Sequence, residues 1–256
     1  MTEGRRLCAL AVALAMLACG PARPLPALAA ESSPAAADKE PVSEAETLLW
    51  MTDQLAAVKA PSVLTYSFVK DGSFEKGFED RIVFTVSKIN PDGMKAAALD
   101  FFTGQRHFPV PPVDGTDVNP VLKVYFQGDV YEMNRLTDPD GKSRERWRYF
   151  QRRIKFALAE EATVEPVKIS FDGRDYDAKR IRFEPYKADP KRAMFEKFAD
   201  KRYLVTVADA LPGYVYEIVT EVPDENGPVP LLRDTLRLQS VAPYQATAEA
   251  RAASQP

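Results

Sequence analysis

The sequence predicts an α+β fold: one curved antiparallel β-sheet of about eight strands, with a few helices packed on one face or in its mouth. Three features carry the prediction. Segments of alternating apolar residues recur along the chain, turns of two to five residues join most of them, and two longer stretches of helical periodicity interrupt them. Short connections favour antiparallel pairing.

The elements follow in chain order. MTEGRR and the apolar run LCALAVALAMLACG read as a signal peptide over 1–29, with Ala27-Leu28-Ala29 supplying the small residues for cleavage after Ala29, or after Ala30. The expected product is periplasmic. In a competing reading Met16-Leu17-Ala18-Cys19-Gly20 is a lipoprotein box and Cys19 an acylated anchor. Residues 30–42 read as a flexible Ala/Pro/Ser linker, 43–242 as a single α+β domain, and 243–256 as a disordered tail.

Ser43-Glu44-Ala45-Glu46 has capping-box spacing ahead of a one-sided stripe ending at Val58, which predicts a helix of about 15 residues. In 63–69 and 81–89, Leu64, Tyr66 and Phe68, then Ile82, Phe84 and Val86, alternate as half-buried strands do. MKAAALDFF follows the turn Asn90-Pro91-Asp92-Gly93. Prolines 109, 111 and 112 predict an extended connector. It leads to a helix that opens at Asn119-Pro120 and carries Leu122, Tyr125, Phe126, Val130 and Met133. A second helix runs from Ser143 through Trp147, Phe150, Ile154 and Leu158. PVKISF, YDAKRIRFEPY, RYLVTVA, GYVYEIVTEV and LLRDTLRLQSV complete the strands, with a shorter helix expected over 190–199.

Composition narrows the function. Both cysteines, Cys8 and Cys19, lie in the segment to be removed, so a chain cut after Ala29 has no thiol chemistry. The same cut removes Glu3, Arg5, Arg6 and Arg23 from 37 acidic and 34 basic residues, taking the net charge from −3 to −5 and giving no pull toward nucleic acid. No cofactor is expected, since glycine-rich phosphate loops and G-x-G-x-x-G are lacking.

The only histidine, His107, lies in the proline-rich connector. No G-x-S-x-G or comparable serine signature supplies it with a nucleophile, and one histidine without H-E-x-x-H or C-x-x-C makes no ordinary zinc site. It reads as a partly exposed loop residue. Asp138-Pro139-Asp140-Gly141 copies part of a calcium loop, but Tyr149 stands where the bidentate Glu belongs. Asp172, Asp175 and Asp177 read as a hairpin turn before they read as a cation site. No catalytic motif is present, and carboxylate pairs carry no sequence spacing by which one could be recognised.

From Lys142 to Lys155 seven basic residues face Glu145 alone: Lys142, Arg144, Arg146, Arg148, Arg152, Arg153 and Lys155. As a helix this is a basic surface suited to anionic lipid headgroups or an acidic protein partner, or else a solvated face over a stripe that packs on the sheet.

The connector Phe108-Pro109-x-Pro111-Pro112, the run Asn119-Pro120-Val121-Leu122-x-x-Tyr125-Phe126, and the segments ISFDGRDYDAKRIRF and LPGYVYEIVTEV together resemble the layout of bacterial periplasmic proteins of unknown function. Their sheet is similar to the half-barrel of the lipoprotein carriers LolA and LolB. The resemblance runs over 44–241, in the order of elements more than in identities. It implies a half-barrel that binds an apolar or acyl ligand, a lipid or a lipoprotein, in its concave face. On that reading Tyr66, Phe68, Phe84, Tyr216 and Ile218 of the strands, with Trp147, Phe150 and Ile154 of the basic helix, line an apolar cavity. The alternative is an envelope interaction module in which the same residues form a closed core and the basic helix docks.

Overall fold

The computed structural model describes residues 42–138, 140–141 and 146–245. The signal peptide with Cys8 and Cys19, nearly all of the linker, Arg144 and the tail beyond 245 lie outside the described residues.

Among the described residues ten strands join one antiparallel sheet: β1 (Ser62–Asp71), β2 (Phe78–Ile89), β3 (Lys95–Phe101), β4 (Phe108–Pro109), β5 (Val113–Thr116), β6 (Thr163–Phe171), β7 (Arg174–Phe183), β8 (Arg202–Val207), β9 (Val215–Val222) and β10 (Leu232–Pro243). Their order across the sheet is β4-β3-β2-β1-β10-β9-β8-β7-β6, with β5 also on β3. The eight long strands are those the alternation predicts, and β1 pairs with β10 at the centre from Ser62↔Pro243 to Asp71↔Arg233. Register shifts at Thr65/Tyr66, Val86/Lys88 and Thr206/Val207 add local twist and bend this open sheet.

One face is buried. It carries Leu64, Tyr66 and Phe68 of β1, Ile82, Phe84 and Val86 of β2, Ala97, Leu99 and Phe101 of β3, Ile218 and Val222 of β9, and Leu232, Leu236 and Leu238 of β10. Over it lies α2 (Pro120–Thr137), joined along its side by α3 (Arg146–Glu160). The Asn119 side chain caps α2 by accepting from Val121 N–H at 3.1 Å, as its place before Pro120 predicts. Its amide nitrogen also donates to Tyr66 Oη at 2.9 Å and to the Gly213 carbonyl at 2.7 Å, so one buried side chain ties the helix to β1 and to the turn before β9. Gly213 has φ +80°, and a Cβ there would run into Leu64.

The first helix departs from prediction. The Ser43 capping box forms, but α1 (Glu44–Glu46) widens at once into a π-turn over Thr47–Met51 and stops at Thr52, which is extended. Polar side chains take the backbone groups that a longer helix would use. Gln54 donates to the Leu49 carbonyl at 2.8 Å and accepts from Asn119 N–H at 2.8 Å. Asp53 accepts from Leu55 N–H at 3.0 Å, and Leu55 N–H also donates to Asp117. Leu55 and Val58 are buried from a turn instead.

The proline-rich connector is extended, as predicted, but it is also paired: Phe108 and Pro109 sit opposite Phe101 and Asp100, and Val113 and Thr116 opposite Ala97 and Lys95. Two short pieces thereby cover most of the outer edge of β3. His107 lies just before the first of them with 44% of its side chain exposed, its Nε2 3.7 Å from Asp100 Oδ1. In place of one helix over 190–199 there are two short 3₁₀ turns, Arg192–Met194 and Glu196–Asp200.

Asn119→Ala removes a cap and two buried hydrogen bonds, and leaves the Gly213 carbonyl with only its bond from Val215 N–H. We predict a loss of about 2–4 kcal/mol in urea unfolding, against about 1 kcal/mol for Tyr66→Phe. Equal losses from the two substitutions would contradict the anchoring role of Asn119.

Candidate ligand-binding site

Helix α2 turns two flanks to two recesses, and its sequence sorts the residues between them. Lys123, Phe126, Gln127 and Val130 border one, while Tyr125, Gly128, Asp129 and Glu132 border the other. Each set has i, i+3, i+4, i+7 spacing, which keeps it on a single side of a helix.

The first recess has a volume of about 490 Å³ and opens to solvent. Phe126, Val130 and Ile154 are its buried floor. Val42, Trp50 and Met51 form its outer wall, and Met51 is 65% exposed. Trp50 stands edge-on to Phe126 with ring centres 5.7 Å apart. The polar groups of the rim are Glu46, Lys123, Gln127, Gln151 and Lys155. Gln127 Nε2 is buried with no hydrogen-bond acceptor, a donor that an acceptor oxygen on a bound molecule would satisfy. An apolar trough with a few convergent polar donors suits an acyl chain that carries a carboxylate or ester at one end.

The second recess is smaller, about 170 Å³, with Phe68, Phe78, Phe101 and Phe102 as its wall and charged groups at its base. Lys70 donates to Glu132 and stands 3.5 Å from Asp234 Oδ1 and 3.6 Å from Glu75 Oε1. Lys201, 2% exposed, donates to Asp129 and lies 3.7 Å from Glu132 Oε2. Tyr203 Oη donates to Asp129 Oδ2 at 2.6 Å. Burial alone would lower the Lys201 pKa, but Asp129, Glu132 and Asp234 outweigh it and hold the ammonium form above its ordinary range. Burial would likewise raise Glu132, yet Lys201 and Lys70 hold it below the usual carboxylate range. Asp234 goes the other way: burial, then the charge of Glu132, push it up to about 7 against Lys70 and Lys201.

The residues singled out in the sequence are spread over this architecture. Ile154 floors the first recess and Phe68 walls the second. Tyr66, Phe84, Phe150 and Ile218 are buried in the packed core and line neither; Phe150 meets Tyr186 and Phe195, each at 5.4 Å. Tyr216 is half-buried, and Trp147 sits on the α2–α3 seam against Tyr131 at 5.9 Å.

The basic stretch is divided in the same way. Arg153, only 15% exposed, points inward with Nε 2.7 Å from Asp189 Oδ2 and 3.0 Å from the Pro185 carbonyl. Arg146 donates to the Thr137 carbonyl, Arg148 lies over Trp147 and Arg152 over Tyr149, and Lys155 reaches the first recess. Asp177 pairs with Lys168 at 2.8 Å and Asp175 with Ser170 across their hairpin. Among the described residues no group of three or more histidine, cysteine or carboxylate side chains could hold a metal ion.

Sequence reasoning passed over the charged cluster. A signal for half of it was present, because Lys70 continues the inward register of Leu64, Tyr66 and Phe68, and Asp234 that of Leu232, Leu236 and Leu238.

Comparison with known proteins returns solved structures and nothing else. No protein-family model and no curated protein matches the chain. The chain is similar to the lipoprotein LppX of Mycobacterium tuberculosis, at 10% identity and a TM-score of 0.32 over 80% of this chain and 99% of that one. It is similar to LprF of Mycobacterium bovis, at 12% identity and 0.28 over 80% and 96%. It is also similar to a LolA-superfamily protein of Nitrosomonas europaea, at 10% identity and 0.23 over 80% and 96%. Among the described residues no helix is long and apolar enough to cross a membrane.

The charged cluster sets a pH dependence. Asp234 titrates near 7 in the folded protein and near 4 in an unfolded chain, so between those values the folded state holds a proton that the unfolded state has released. Stability contributed by this group therefore falls as pH rises from about 4 to about 7. We predict that the urea midpoint rises on acidification from pH 8 to pH 5.5, by a free energy on the order of a few kcal/mol, and that Asp234→Asn loses most of that slope. Parallel slopes for the two proteins would contradict the assignment.

Proposed function

We propose that the protein is a non-catalytic binding protein of the bacterial cell envelope, exported with removal of residues 1–29, that takes the acyl chain of a lipid or lipoprotein into the recess between α1, α2 and α3. The observation that carries this reading is the recess itself: about 490 Å³ of mostly apolar trough, floored by Phe126, Val130 and Ile154, walled by Trp50 and the exposed Met51, and crossed at its rim by Lys123, Lys155 and the unpaired Gln127 amide. The acyl chain would lie on the helical layer that covers the buried face of the sheet, not among the strand residues Tyr66, Phe84 and Ile218.

A membrane surface is part of the same proposal. Arg148, Arg152 and Lys155 have i, i+4, i+7 spacing on the exposed side of α3, which also contributes Gln151, Ile154 and Lys155 to the trough. Cations there would bring the open side of the recess to anionic headgroups.

The test is binding of cis-parinaric acid, followed by its fluorescence and by energy transfer from Trp50 in a Trp147→Phe background. We expect saturable binding that Met51→Glu weakens at least about tenfold, since a carboxylate replaces an exposed apolar wall without disturbing the core. Binding that Met51→Glu leaves unchanged, or no saturable binding at all, would overturn the proposal.

A further inference from the structure

The second recess combines features that the acyl trough does not use. Its wall is three phenylalanine rings in mutual contact: Phe68 and Phe102 at 4.8 Å, Phe68 and Phe78 at 5.4 Å, and Phe78 and Phe102 at 5.8 Å between centres. Phe101 adds a fourth at 4.6 Å from Phe102. Consecutive residues of a strand point to opposite faces. Phe102 breaks that alternation with φ +66°, a backbone rarely adopted by a bulky side chain, and so both rings border the same recess. Gly128 opens the other side, where a Cβ would meet nothing within 4 Å.

At the base, three carboxylates (Asp129, Glu132 and Asp234) face two ammonium groups (Lys70 and Lys201), while Glu75 and Arg135 pair at 2.8 Å above them. One negative charge is in excess when all are ionised. The vacant acceptor is identifiable: Asp234 is 7% exposed and its Oδ1 has no hydrogen-bond donor, while Lys70, an ion-pair neighbour 3.5 Å away, donates to Glu132. A buried carboxylate oxygen without a donor is costly.

We propose that this recess binds a small organic ammonium ion, with Asp234 as its counter-ion and the phenylalanine wall holding its hydrocarbon surface. Aromatic faces attract diffuse organic cations, and Arg106 already lies 4.3 Å over the face of Phe78. A volume of about 170 Å³ equals about six waters at roughly 30 Å³ each, enough for an ammonium group with a few carbons. A bare metal ion would need several oxygens, and the aromatic wall supplies none.

The same ammonium chemistry occurs free in solution and on zwitterionic lipid headgroups. The site is independent of the acyl trough, from which α2 separates it, and its test does not depend on that reading.

Titration of the full exported protein with tetramethylammonium chloride at pH 8, against sodium chloride at equal ionic strength, is the direct experiment. We expect saturable binding by calorimetry. It should weaken at least tenfold in Asp234→Asn and in Gly128→Leu, the latter filling the recess mouth from an exposed helical position without touching a charge. It should also weaken in the wild type as pH falls below 7, where Asp234, facing Lys70, Glu132, Asp129, Lys201 and Tyr125, takes a proton. If Asp234→Asn does not fold, Gly128→Leu carries the test alone. No saturable response in the wild type, or undiminished binding in Gly128→Leu, overturns the site. Tighter binding of dihexanoyl phosphatidylethanolamine than of ethanolammonium would assign the ion to a lipid headgroup, and equal binding would assign it to a free ammonium compound.

Discussion

Helix α2 is fixed across the sheet by buried polar contacts at three heights, and the rest of the molecule is arranged around that seating. At its start Asn119 ties it to Tyr66 and Gly213. One and a half turns on, Tyr125 Oη meets Thr220 Oγ1 at 3.1 Å on β9. Beyond that, Asp129 and Glu132 engage Lys201, Tyr203 and Lys70. Apolar packing alone would let a helix slide or rotate on a curved sheet. Directional hydrogen bonds between buried charges fix one register, because any other leaves an ion uncompensated, at a cost of about 3–5 kcal/mol for a broken buried pair.

That seating divides the space over the sheet. With α2 in the middle, the strand side chains beneath it pack as core, and a recess opens along each of its flanks. One flank meets α1 and α3 and is apolar; the other meets β1, β2, β3 and β10 and is charged below and aromatic above. Rings stacked through Phe126, Tyr203 and Phe183 carry the apolar flank down to β7 and β8, so the floor of the trough is continuous with the core. The trough's outer wall is different in kind. It is the single α-turn and π-turn of Glu44–Met51, with Trp50 and Met51 exposed while Ala45, Leu48 and Leu49 are buried in the core.

The strands and the two long helices were legible because their signals are local: alternation in β1, β2 and β10, and the Asn119-Pro120 start of α2. The length of α1 was not. Its stop depends on Gln54 and Leu55 bonding to residues 119 and 117, more than sixty positions away, and the stripe of Leu48, Leu55 and Val58 is buried whether helical or not. Strands β4 and β5 escaped because two and four residues carry no periodicity; only their pairing with β3 defines them. The trough was hidden for a related reason. Its lining comes from three helices, and nothing in the spacing of Trp50, Phe126 and Ile154 announces that they meet. The charged base was half visible, since a lysine and an aspartate at inward positions of β1 and β10 demand partners that only the fold supplies.

The claim on which this account rests is that the trough beside α2 holds an acyl chain. Native mass spectrometry of the exported protein, purified from its own envelope without detergent and then extracted with organic solvent, tests it most directly. The account predicts a reproducible added mass that the solvent releases as an acyl lipid. A bare chain beginning at Ala30 or Glu31, with nothing released, would contradict it.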